Sequence, residues 1–133
     1  MTIPPDADAL PALLDAIEAW CEVAGLGPAV AHRIAVVVEE LAANVAMHGT
    51  GGTGGASFVG IGLSRDGDAI HAAVEDDGRP FDPLSLGAPD TEAALEDREV
   101  GGLGVHFARV MTRRLAYARE DGRNRVTATF DAG

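Results

Sequence analysis

The sequence lacks lysine, long hydrophobic runs and all but one cysteine. All ten basic residues are arginine, which excludes a Walker-type phosphate-binding loop because that loop needs a lysine. Cys21 stands alone, so no disulfide framework can form within the chain. The longest apolar run, Ile34 to Val38, is far shorter than the roughly 20 residues of a membrane-spanning helix, and residues 1–9 carry no secretion signal. We therefore expect a soluble, cytoplasmic protein that does not associate with membranes.

The charge balance is strongly acidic, with a formal net charge of −11 and a pI near 4.5. Proteins that bind nucleic acid concentrate positive charge on one face, so direct nucleic-acid binding is not expected. A length of 133 residues with 47% hydrophobic content is typical of one globular domain. We therefore expect a single domain over residues 1–133, with one functional site.

Two long helices are predicted in the first part of the chain and a short one further on. Apolar residues at helical spacing predict the first helix over Asp6 to Ala24, with Gly25 ending it. The second, Pro28 to Met47, is apolar on nearly all sides and is expected to be buried. A glycine cluster at residues 101–104 opens a third helix, Val105 to Met111.

Four strands are predicted to form two antiparallel hairpins. Asp-Gly pairs at 66–67 and 121–122 predict tight turns between the strands of each hairpin. Residues 2–3 are compatible with the end of a further strand. Hairpins placed against a helical layer predict a two-layer α+β sandwich, with a mixed, mostly antiparallel sheet packed against helices. The four predicted strands are Ser57 to Ser64, Ala69 to Asp76, Arg114 to Glu120 and Arg125 to Phe130.

Glu40, Asn44 and His48 follow one another at four-residue spacing on the second predicted helix. This spacing aligns them in one polar stripe, and on a buried helix such a stripe must face a cavity, a ligand or a hydrogen-bonded partner. A carboxylate one turn from an amide suits a general base beside an oxygen ligand for Mg²⁺. The stripe would equally fit the solvent side of an amphipathic helix, and His48 could interact only with the helix C-terminus.

Asp76 ends the second predicted strand on the same face as Ile70, Ala72 and Val74, which should form its core side. A carboxylate in that position needs hydrogen-bond donors, and the amino group of adenine is a suitable one. Gly78 permits the close approach of a planar ring. Taken alone, the Asp-Asp-Gly pattern would also fit an ordinary turn.

Gly101, Gly102 and Gly104 lead directly into the third predicted helix. Backbone N–H groups at such an entry can bind phosphate oxygens, although a tight junction between a loop and a helix has the same composition. Arg98, three residues earlier, could reach the γ-phosphate of a nucleotide or remain solvated.

In their order and spacing, these three groups resemble the motifs of the GHKL ATPase superfamily, specifically the small serine kinases and anti-sigma factors of bacterial partner-switching systems. The N box corresponds to EELAANVAMHG (Glu39 to Gly49), the first glycine box to DDGRPFDP (Asp76 to Pro83) and the second to GGLGVHF (Gly101 to Phe107). The stretch from Tyr117 to Phe130 resembles the closing hairpin of this group. The resemblance therefore extends from about Ile3 to Phe130.

The resemblance implies a Bergerat-type ATP-binding fold and a role for each residue that matches a motif. Glu40 would act as general base toward a substrate serine, and Asn44 would ligate Mg²⁺. Asp76 would accept a hydrogen bond from the adenine amino group, with Gly78 beside the base. ATP and Mg²⁺ are thus the implied ligands.

The second-box glycines would be Gly102 and Gly104, and the loop at about 84–100 would be the ATP lid. Two positions depart from the wider superfamily. Pro80 occupies the place of the second glycine of the first box, a variant that fits the serine-kinase branch. The arginine that contacts the γ-phosphate has no clean counterpart, and Arg98 is the nearest candidate.

The implied function is that of an ATP-dependent serine-protein kinase and anti-sigma factor, which phosphorylates an antagonist protein with a STAS-type fold. Relatives of this kind are usually homodimers that also sequester a sigma factor. One alternative is a non-catalytic module that acts only by holding its partner. Another is a histidine-kinase catalytic domain, which the lack of a phosphoacceptor helix before the N box disfavours.

Overall fold

The computed structural model describes residues 1–48, 55–80, 82, 84 and 108–132, without the side chains of Met47 and His48. In this part of the chain, two α-helices lie against a five-stranded sheet, which confirms the predicted α+β sandwich. A 3₁₀ turn, Ala7–Ala9, precedes the first helix. The elements are β1 Thr2–Ile3, α1 Leu10–Val23, α2 Pro28–His48, β2 Val59–Asp66, β3 Ala69–Asp76, β4 Arg114–Glu120 and β5 Arg123–Asp131.

The first predicted helix is divided into the 3₁₀ turn and α1. Asp6 caps the turn, because its Oδ1 accepts a hydrogen bond of 3.0 Å from the backbone N–H of Asp8. At the other end, Gly25 adopts a φ of +75°, and the N–H of Leu26 donates to the carbonyl of Cys21 at 3.0 Å. This is the usual glycine termination of a helix, and it confirms the predicted stop.

The sheet has the strand order β1-β2-β3-β5-β4. All four of the described pairings are antiparallel, so no parallel pair of the expected mixed sheet occurs among these strands. The two residues of β1 do form a strand, as residues 2–3 suggested. Because β5 lies between β3 and β4, the last strand of the chain is the direct neighbour of the strand that ends in Asp76.

Both hairpins have two-residue connections. Gly67 has a φ of +59° in the turn between β2 and β3. In the turn between β4 and β5, Asp121 and Gly122 have φ values of +52° and +76°. Two consecutive positive φ angles fit a type I′ turn, which matches the right-handed twist of the strands.

The core lies between α2 and the sheet, where alternate residues of β3 and β5 point toward the helices. The registers pair Ile70 with Phe130, Ala72 with Ala128 and Val74 with Val126, and all six are buried. From the helices, the buried apolar residues include Leu13, Ile17, Ile34, Val37, Val38 and Leu41. None of the described helices combines the length and the apolar character that a bilayer crossing requires.

Residues 108–111 are helical and form the end of the third predicted helix, whose first residues lie outside the described part of the chain. Apart from Leu84, the predicted lid also lies outside it, as does the second glycine box. Arg98, Gly101, Gly102 and Gly104 therefore have no structural description, and they remain predictions.

Candidate functional site

Three polar side chains are buried among the described residues: Asn44, Asp76 and Asn124. The sequence predicted a role for the first two and missed the third. All three belong to elements that enclose the core, because Asn44 lies on α2 and the other two lie on β3 and β5. Buried polar groups need partners, so the contacts of each side chain are informative.

Asn44 is 2% exposed, and neither its Oδ1 nor its Nδ2 has a hydrogen-bond partner among the described residues. An amide left in this state costs roughly 1–3 kcal/mol of folding free energy. A buried side chain in this condition has both an acceptor and a donor available for a ligand. The amide oxygen suits a hard cation such as Mg²⁺.

Glu40 lies one helical turn before Asn44 and is partly buried. Burial raises the pKa of its carboxyl group above the ordinary value, and the neighbouring charge of Glu39 raises it further. A carboxylate whose affinity for protons is increased in this way is better suited to accept a proton from a hydroxyl group. His48 is the last residue of α2, and its side chain lies outside the described part of the structure.

Asp76 is 6% exposed at the end of β3, and its Oδ1 accepts two hydrogen bonds. The backbone N–H of Gly78 donates at 2.9 Å, and Nδ2 of Asn124 donates at 3.1 Å. Gly78 is itself buried, and its carbonyl accepts a hydrogen bond of 2.7 Å from Arg119. The turn after β3 is therefore held from both sides, with the carboxylate of Asp76 fixed at its centre.

Asp77 is held differently, by the segment that leads into β2. Its carboxylate accepts hydrogen bonds from the hydroxyl group of Ser57 and, at 2.7 Å, from the backbone N–H of the same residue. A longer bond of 3.4 Å comes from the N–H of Phe58. The bonds from Ser57 are the main reason that the pKa of Asp77 is lowered. Asp77 thus ties the turn that carries Gly78 to the neighbouring strand.

Asn124 is the site residue that sequence reasoning missed. It is 4% exposed, lies directly opposite Asp76 in the register of β3 and β5, and also donates to the carbonyl of Arg79 at 2.8 Å. The hydroxyl group of Tyr117 donates to its Oδ1 at 2.5 Å. The signal was present, since Asn124 shares parity with Val126 on the core face, but the predicted strand began one residue later.

The described residues contain no group of three or more His, Cys, Asp or Glu side chains that could hold a metal ion. A cation at Asn44 would therefore rely on oxygen atoms of a bound phosphate for much of its coordination, which is how proteins commonly hold Mg²⁺ beside nucleotides. The orphaned amide of Asn44 fits this arrangement.

Known proteins with related sequences and folds identify the family of this chain. The family model for the histidine kinase-like ATPase domain matches residues 3–130. A serine/threonine-protein kinase of Bordetella bronchiseptica, BtrW, is 29% identical over 97 residues, which cover 72% of this chain and 67% of that protein.

Two solved structures share the fold at low sequence identity. In the SiaB-SiaC complex from Pseudomonas aeruginosa, the matched chain has a TM-score of 0.59 and 16% identity, covering 98% of this chain and 88% of that one. The histidine kinase domain of the blue-light activated histidine kinase of Erythrobacter litoralis EL346 has a TM-score of 0.55 and 20% identity, covering 98% and 62%. In a second structure of that kinase, which has a longer chain, the match covers only 32% of that chain. With the family model matching nearly its whole length, the chain belongs to the GHKL-type family of histidine kinase-like ATPase domains.

Proposed function

We propose that this chain is an ATP-dependent protein serine kinase that phosphorylates a STAS-domain antagonist protein and acts as an anti-sigma factor. The observation that carries the proposal is the buried amide of Asn44, which has no partner among the described residues and lies one helical turn from the partly buried Glu40. An ATPase-family domain with a cation ligand beside a candidate base has the parts that phosphoryl transfer needs. The similarity to BtrW, a serine/threonine-protein kinase, supports serine as the acceptor.

Each residue of the site would have a different role in phosphoryl transfer. Asp76 and Gly78 would hold the adenine, and Asn44 would hold Mg²⁺. Glu40 would accept the proton of the serine hydroxyl as that oxygen bonds to phosphorus and ADP leaves. Bound Mg²⁺-ATP supplies the phosphoryl group, with the cation neutralising negative charge on the phosphates. Catalysis in such a site depends mainly on positioning and on charge stabilisation.

The remaining expected contacts come from residues outside the described part of the chain. Gly101, Gly102 and Gly104 would bind the phosphates through backbone N–H groups, and Arg98 would reach the γ-phosphate. His48 would lie close to the nucleotide, because it ends the helix that carries Glu40 and Asn44.

The partners follow from the same hypothesis. A STAS-domain antagonist would offer the serine, a sigma factor would be the sequestered protein, and two copies of this chain would form the working dimer. The SiaB-SiaC complex supports a regulatory role, since it shows this fold in a complex. A cytoplasmic location fits all three partners.

The decisive experiment is a phosphotransfer assay with purified STAS-domain candidates from the same genome. The chain is incubated with Mg²⁺-ATP and each candidate, and intact-mass spectrometry detects the addition of one phosphoryl group. We expect one candidate to be modified on serine, with no modification by the Glu40→Gln variant. Transfer at the normal rate by that variant would remove Glu40 from the base role.

A non-catalytic partner-switch module is the second candidate function. It would bind Mg²⁺-ATP without transferring phosphate to any candidate, and nucleotide would only change its affinity for the partner. Calorimetric titration of the partner with and without ATP separates this function from the kinase.

A further inference from the structure

Tyr117 and Asn124 form a hydrogen-bonded chain behind the carboxylate of Asp76. The hydroxyl group of Tyr117 donates to Oδ1 of Asn124 at 2.5 Å, and Nδ2 of Asn124 donates to Oδ1 of Asp76 at 3.1 Å. One residue of the closing hairpin thus contacts a carboxylate on β3, and a second residue of the hairpin contacts the first. Asn124 is 4% exposed, so its bonds are made away from bulk water.

The orientation of the Asn124 side chain is determined by these contacts. Its Nδ2 faces two acceptors, the Asp76 carboxylate and, at 2.8 Å, the carbonyl of Arg79. A rotated amide would direct its oxygen at both acceptors, which is unfavourable in a buried site. The hydroxyl group of Tyr117 satisfies the amide oxygen only in the observed orientation, because there it donates.

This arrangement controls which oxygen of Asp76 is available to a ligand. The N–H of Gly78 and the amide of Asn124 both donate to Oδ1, and no other described residue donates a hydrogen bond to this carboxylate. The plane of the carboxylate is therefore fixed, and Oδ2 is presented as an acceptor. A fixed acceptor binds the 6-amino group of adenine and repels the 6-oxo group of guanine.

We propose that Tyr117 and Asn124 are positioning residues for Asp76, and that they set the preference of this site for a 6-aminopurine nucleotide. The inference rests on the proposed binding of ATP at Asp76. A purely structural role is the alternative to be separated, because Asn124 also braces the Arg79 carbonyl. A brace would support every nucleotide equally, whereas a positioning residue acts through the contact to the 6-amino group.

The test measures binding of three Mg²⁺-nucleotides by isothermal titration calorimetry. These are ATP, GTP and purine riboside triphosphate, which has hydrogen in place of the 6-amino group. The variants are Tyr117→Phe and Asn124→Ala. The matched control is Arg125→Gln, at a residue on the opposite face of β5 from Asn124, which removes the ion pair between Arg125 and Glu75 of β3.

We expect Tyr117→Phe to weaken ATP binding by about 5-fold and Asn124→Ala by about 10-fold or more, as for the loss of one or two buried hydrogen bonds. Binding of purine riboside triphosphate should change by less than about 2-fold, since no amino contact is present to lose. The ratio of ATP to GTP affinity should fall in both variants and remain unchanged in Arg125→Gln.

Equal weakening of all three nucleotides, or unchanged ATP binding in both variants, would overturn the proposal while leaving ATP binding intact. A wild-type chain that binds none of the three would overturn the proposed function as well. Thermal unfolding followed by circular dichroism checks each variant. If Asn124→Ala does not fold, Tyr117→Phe decides, because it removes only a hydroxyl group.

Discussion

Asp76 and Asp77 are consecutive carboxylates that are held by different parts of the molecule. Asp76 is buried against the closing hairpin, where Asn124 donates to it, whereas the carboxylate of Asp77 is bound by Ser57 at the entrance to β2. One residue therefore belongs to the candidate ligand site, and the other fastens the turn that follows β3.

Separate substitutions of the two aspartates should show that Asp76 affects ligand binding much more than Asp77 does. We expect Asp76→Asn to weaken Mg²⁺-ATP binding by about 10-fold or more, because an amide presents donors where the adenine amino group needs an acceptor. Asp77→Asn should bind ATP within about 3-fold of the wild type. Calorimetric titration measures the ATP affinity of both variants. An equal loss of affinity in the two would contradict the assignment of Asp76 to adenine binding.

Asp77 should contribute to stability in a pH-dependent way. Because hydrogen bonds from Ser57 lower its pKa in the folded state, its contribution is present above the ordinary value of 3.8 and is lost as the pH falls through the lowered pKa. We expect Asp77→Asn to reduce the free energy of unfolding by about 0.5–1 kcal/mol at neutral pH. Urea unfolding at decreasing pH should show this difference shrinking, and a constant difference would count against it.

Glu40 should have the opposite pH dependence. Its pKa is raised by burial and by Glu39, so its ionisation is disfavoured in the folded chain. The protonated carboxyl group makes its full contribution to folding stability at pH values below its ordinary pKa of 4.5. This contribution is lost as the pH rises through the raised pKa.

Glu40→Gln should therefore be more stable than the wild type at neutral pH, by less than about 1 kcal/mol because the side chain is partly exposed. The two proteins should converge at low pH in urea unfolding experiments. The same variant should keep Mg²⁺-ATP binding and lose phosphotransfer. Lower stability at neutral pH would show that the carboxylate makes a favourable contact in the folded state.

Asn44→Ala should separate folding from cation binding. The substitution removes a buried amide that has no partner among the described residues, which is favourable, and leaves a cavity, which is unfavourable. Because these effects oppose each other, we expect the free energy of unfolding to change by no more than about 1 kcal/mol in either direction. Calorimetry should show that Mg²⁺ no longer strengthens ATP binding. Ala43→Gly, one position earlier on α2, is a control that weakens the helix without touching the amide. Retained Mg²⁺ dependence in Asn44→Ala would place the cation ligand elsewhere.

Hydrophobic periodicity was sufficient to predict most of the fold. The bounds of β3 and β4 were predicted without error: the apolar alternation of β3 is bounded by turn residues on both sides, and β4 ends at the Asp-Gly turn. The strand predicted from Ser57 begins instead at Val59, since Ser57 is used to bind Asp77. The local sequence does not predict this contact, because Ser57 and Asp77 are 20 positions apart.

The candidate site was predicted only as far as its local motifs reach. Asp76 stands out because it is polar where Ile70, Ala72 and Val74, at the same parity, are apolar, and Asn44 because it belongs to a polar stripe on an otherwise apolar helix. Asn124 shares the parity of Val126 but lay one residue before the predicted strand, and the register of β3 and β5 places it opposite Asp76. The role of Tyr117 depends on one hydroxyl contact, which no spacing rule predicts.

The position of β5 between β3 and β4 also determines when the site can form during folding. Asp76 and Asn124 are 48 positions apart, so the chain must close a long loop before the two can meet. Such distant contacts form late and slowly compared with hairpins and helices. In a partly folded chain, the residues of the site are therefore present but not yet brought together. A ligand that requires this pair will stabilise only the completed sheet.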